Sequence, residues 1–64
     1  MTNKMMLNTQ LVSGLIERIQ ENNLPITIET GDKVDEEMIH VIAEYDDEEL
    51  FGKLLDETIN EIFN

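Results

Sequence analysis

Met38-Ile39-His40-Val41-Ile42-Ala43-Glu44-Tyr45 is the stretch that decides the fold of this 64-residue chain. As a strand it points Ile39, Val41, Ala43 and Tyr45 one way and Met38, His40, Ile42 and Glu44 the other. As a helix it gives a stripe of Val34, Met38, Val41/Ile42 and Tyr45, with Asp35 as cap. Ile39, Val41 and Ile42 are β-branched, and a preceding strand needs a neighbour; both favour the strand.

That preceding strand is Ile26-Thr27-Ile28-Glu29-Thr30, which alternates apolar and polar residues and is β-branched. Pro25 is tolerated at its entrance. Gly31-Asp32-Lys33 marks a turn, and residues 34–37 continue a charged loop.

Two helices flank the hairpin. Leu7, Leu11, Val12, Leu15, Ile16 and Ile19 share one helical face and predict a helix over 8–22, with Asn8 or Thr9 as cap. Asn22 and Asn23, which tolerate the left-handed conformation, end it before Leu24-Pro25. Gly14 falls on its polar face, at a cost of about 1 kcal/mol relative to Ala. The second helix starts at Asp46, which with Glu49 fits a capping box, and four carboxylates suit the positive end of the helix dipole. Its apolar face is Leu50, Phe51, Leu54, Leu55, Ile59, Ile62 and Phe63. Residues 1–6 are expected to fray, with Met5 and Met6 stapling the start of the first helix.

The expected architecture is therefore α+β: one small domain over 1–64, in the order α-β-β-α, with a two-stranded antiparallel hairpin between amphipathic helices. A lone two-stranded ribbon is marginal in water. So short a chain, with no Cys for disulfides or thiolate sites, stabilises itself by good packing or by association. A homodimer is the expectation. No apolar run reaches the 18 residues of a membrane span, and no cleavage site follows the N-terminal residues. A cytoplasmic protein is expected.

The charge is lopsided. The chain carries −11, yet in residues 1–28 Glu17 and Glu21 are balanced by Lys4 and Arg18. The remainder sets 13 carboxylates against Lys33 and Lys53. A surface of this sign repels nucleic acid and anionic membranes, and attracts basic proteins.

Catalytic signatures are missing. Glycines are single, Ser13 has no neighbouring His, and the carboxylates are too crowded to single out an acid and a base. One His without Cys argues against zinc, and the acidic clusters lack the ligand order of a calcium loop. No cofactor and no metal is implied. His40 reads as a half-exposed strand residue, and the methionines as core or tail.

The expected function is non-enzymatic: an acidic interaction protein that binds a basic surface of a partner protein. Glu36, Glu37, Asp47, Glu48, Glu49, Asp56 and Glu57 are the candidate partner-binding residues. In a sharper version their row mimics nucleic-acid charge and blocks a nucleic-acid-binding enzyme, as inhibitors from phages and mobile elements do. The alternative is an assembly or regulatory adaptor that docks through apolar helix faces, its acids serving solubility.

Overall fold

The computed structural model describes residues 1–63 and shows an α+β chain with one more strand than the sequence suggests. The order is β1 (Thr2–Asn8), α1 (Thr9–Asn22), β2 (Ile26–Lys33), β3 (Met38–Tyr45) and α2 (Glu48–Phe63). The sheet order is β1-β3-β2, with β3 in the middle and antiparallel to both neighbours. The ambiguous stretch is thus a strand, and the most buried of the three.

The additional strand is N-terminal. Residues 2–8 do not fray; they pair with β3 from Thr2↔Glu44 to Asn8↔Met38. The hairpin expected to need a second copy is completed by its own chain. Met5 and Leu7 point toward the helices in register with Val41 and Ile39, and Thr2, Lys4 and Met6 point away. Leu7 lies four residues before Leu11 and so also fits the helical stripe, which hides the strand. Asn8 makes the break: its backbone is extended (φ −65°, ψ 139°) and its side-chain oxygen accepts from the Gln10 N–H at 2.8 Å.

β2 also runs further than the turn signal implies. A bulge between Thr30 and Lys33 absorbs Gly31-Asp32, and Lys33 pairs with Ile39. The reversal falls at residues 34–37, where the Val34 and Asp35 N–H groups donate to the Met38 carbonyl. Asp35 Oδ1 accepts from the N–H groups of Glu37 and Met38. This local aspartate turn, and not the glycine, sets the hairpin.

Both helices pack on the face of the sheet that carries Val41, Ala43 and Tyr45. Leu11, Leu15, Ile26, Ala43, Tyr45, Phe51 and Leu54 form one core cluster. Tyr45 and Phe51 stack with ring centroids 4.2 Å apart, which locks the end of β3 to the first turn of α2. Asn3 Nδ2 donates to the Tyr45 hydroxyl at 3.3 Å, so β1 joins the same corner. α1 ends as expected: Asn23 is left-handed (φ 51°), and its N–H and that of Leu24 bond back to the Ile19 carbonyl.

Gly14 acquires a purpose that its polar-face position conceals. A Cβ there would lie 2.8 Å from Ile62 Cδ1 and 2.9 Å from Thr58 Cγ2, so α1 and α2 touch at this glycine. Thr58 is the buried polar residue of the contact, its hydroxyl donating to the Leu54 carbonyl at 2.6 Å. Thr58 therefore takes the place in the core that its neighbour Ile59 was expected to hold. Ile59 and Phe63, at 38% and 50% exposure, look outward.

Gly14 and Gly52 make a matched pair of tests. Ala adds about 1 kcal/mol of helix propensity at either position. At Gly52 nothing lies within 4 Å of the added Cβ, so Gly52→Ala should raise the urea midpoint. At Gly14 overpacking costs about 1–3 kcal/mol, so Gly14→Ala should lower the midpoint although it too favours helix.

Candidate acidic interface

The candidate carboxylates fall into two groups, because β3 separates them. Glu36 and Glu37 sit in the turn before β3. Asp47, Glu48 and Glu49 sit just after it, at the start of α2. A strand advances about 3.3 Å per residue, so the eight residues of β3 hold the groups roughly 23 Å apart. The continuous row that sequence order suggests is not present.

Each group is built by local chemistry. In the turn, Asp35 fixes the backbone and leaves Glu36 and Glu37 exposed. At the helix start the cap is Asp47 and not Asp46: Asp47 Oδ1 accepts from the N–H groups of Glu49 at 3.0 Å and Leu50 at 3.2 Å. Asp46 lies one residue outside, 3.9 Å from the N-terminal ammonium of Met1. The helix accordingly begins at Glu48, with its cap one residue later than expected. Capping holds Asp47, Glu48 and Glu49 on one turn at the positive end of the dipole, where their charge is favoured.

Asp56 extends this second group along the solvent side of α2. Glu57 does not. It turns toward α1, where Arg18 NH1 lies 3.6 Å from its carboxylate and Arg18 NH2 contacts Glu61. Glu57 is thus part of an inter-helix clasp, one turn from the Gly14 contact, and its charge is offset. The clasp borders an open groove of about 590 Å³ lined by Gln10, Ser13, Glu17, Arg18 and Glu61 among others. Its one cation is already held by two carboxylates.

Among the described residues, the carboxylates with an ion-pair partner are Asp46, Glu57 and Glu61. Glu36, Glu37, Asp47, Glu48, Glu49 and Asp56 face solvent with no cation within 4 Å among the described residues. No cluster of three or more His, Asp or Glu side chains among the described residues is arranged to hold a metal ion. No helix of the described residues is long and apolar enough to cross a membrane. No protein-family model matches the chain, and no curated protein or solved structure matches it either.

The two adjacent aspartates separate structure from charge. Asp47→Ala removes a cap and should cost about 0.5–2 kcal/mol. Asp46→Ala removes the same charge next door and should stay within about 0.5 kcal/mol, as exposed substitutions away from such features do. Urea denaturation of both variants measures the difference directly.

Proposed function

We propose that this chain is a non-enzymatic acidic protein that binds a basic surface of a partner protein. The observation that carries the proposal is the supply of exposed carboxylates that, among the described residues, have no cation partner, set on a hydrogen-bonded turn and a capped helix start in a chain of net charge −11. Charges fixed on capped and hydrogen-bonded backbone need no reordering to meet Lys and Arg, which favours rapid, steered association. Glu36, Glu37, Asp47, Glu48, Glu49 and Asp56 are the contributing residues.

The rival reading, an adaptor docking through apolar helix faces, has less support. Leu11, Leu15, Phe51 and Leu54 are buried within the chain itself, which leaves only Ile59 and Phe63 of the α2 apolar face exposed to a partner among the described residues. The dimer expected from the sequence loses its motive too, since β1 supplies the missing strand. Mimicry of nucleic-acid charge is the narrower form of the proposal. A duplex presents about one charge per 1.7 Å, whereas these carboxylates form two groups with the length of a strand between them. The separation favours a partner with two basic patches over one with a continuous nucleic-acid groove.

Immobilised chain exposed to lysate of its source cells at about 0.1 M and then about 1 M salt tests this, because screening shortens from about 10 Å to about 3 Å over that range. Basic proteins captured at low salt should elute at high salt. Glu48→Lys with Glu49→Lys should abolish capture while circular dichroism shows the fold intact. Retention through high salt, or capture unaffected by the reversal, contradicts the proposal.

A further inference from the structure

The sheet has a second face that no helix covers. Alternation places Met6 on β1, and Met38, His40, Ile42 and Glu44 on β3, on this side. Met6 is 51% and Ile42 37% exposed, and Met38 is half-buried. The register pairs Met6 with His40 and Lys4 with Ile42, so Met6 lies diagonal to both Ile42 and Met38, within reach of long side chains. The result is a short apolar strip along β3, rich in methionine, which adapts to irregular surfaces.

Acidic residues flank that strip. Residues 35–37 precede Met38, and Glu44 and Asp46 lie at the other end of β3, whereas Glu48 and Glu49 begin α2 on the covered side of the sheet. Across the strip one row reads Lys4, Ile42, Glu29, so the β2 side is acidic and the β1 side carries the cation. Neither Glu29 nor Glu44 has a cation within 4 Å among the described residues.

This pattern selects among occupants. A second copy is disfavoured by charge: aligned face-to-face packing about a two-fold axis along β3 sets Lys4 over Glu29 but also Glu44 over Glu44 and each acidic end over its equivalent. A helix rises about 1.5 Å per residue, so some 15 residues span the roughly 23 Å of β3. The geometry points to the open sheet face as the docking surface for a basic amphipathic helix of a partner protein. The apolar stripe of that helix covers Met6, Ile42 and Met38. Its cations meet Glu29, Glu44 and the carboxylates of the turn before Met38. The inference rests on the proposed binding of basic partners and names the surface where one type of partner sits.

Two synthetic 15-residue peptides test it by titration calorimetry: an amphipathic Lys/Leu helix, and a Lys/Ser peptide of equal charge. The Lys/Leu peptide should bind at least tenfold more tightly and shift the amides of Met6, His40 and Ile42 in nuclear magnetic resonance spectra. Met6→Thr with Ile42→Thr keeps strand propensity at exposed positions. It should erase the Lys/Leu advantage and leave Lys/Ser binding unchanged. An advantage that survives this double variant overturns the assignment of the face but not the binding of basic partners. A dimer by light scattering with Ile42 shielded also overturns it. Failure of both peptides to bind contradicts the basic-partner proposal and this one together.

Discussion

Alternate residues of Met38–Tyr45 turn their backbone hydrogen bonds to opposite neighbours, and the rest of the structure follows from that division. The Tyr45 N–H donates to the Met1 carbonyl at 3.0 Å, and the Thr9 N–H donates to the Glu37 carbonyl at 2.8 Å. Both contacts fit the same β1–β3 register. In an antiparallel ladder this assigns the odd-numbered residues of β3 to β1 and the even-numbered ones to β2. The odd side chains Val41, Ala43 and Tyr45 are buried beneath the helices, at 1%, 0% and 6% exposure. Tyr45 then stacks on Phe51, and the Asp47 cap directs α2 back across the sheet. Losing β1 would leave a two-stranded ribbon under two helices, with Met5 and Leu7 gone from the core margin.

The helices, the caps of α1 and the β2–β3 pairing are legible in the sequence because each has a local cause, whereas the α2 cap falls on Asp47, one residue past the expected Asp46. Asn8, Asn23 and the alternation of Ile26-Thr27-Ile28 act within a few residues. β1 is not legible. Its consecutive apolar residues Met5-Met6-Leu7 obscure the alternation, and its partners lie 30 to 42 residues away. Gly14 and Thr58 are hidden for a related reason: each looks unfavourable on its own helix and makes sense only where α1 meets α2. The exposed Ile59 and Phe63 show the converse, apolar residues on a helix that no neighbour covers.

The candidate site divides the same way. Types of residue and their exposure follow from composition and periodicity: all seven carboxylates are exposed, and among the described residues six of them have no cation partner. Their grouping depends on the fold. A strand between two acidic turns converts what looks like one row into two patches with an apolar strip between them. Glu57, indistinguishable from Asp56 by sequence, is separated from it by one position on the helix and by the presence of Arg18.

Amide hydrogen exchange read residue by residue tests the central claim most directly. If β1 is the third strand, the N–H groups of Met5 and Leu7 bond to β3 and should exchange slowly, with protection close to that of Val41. Those of Lys4 and Met6 point to the free edge and should exchange much faster. Uniformly fast exchange over residues 2–8, with β2 and β3 still protected, would contradict a three-stranded sheet.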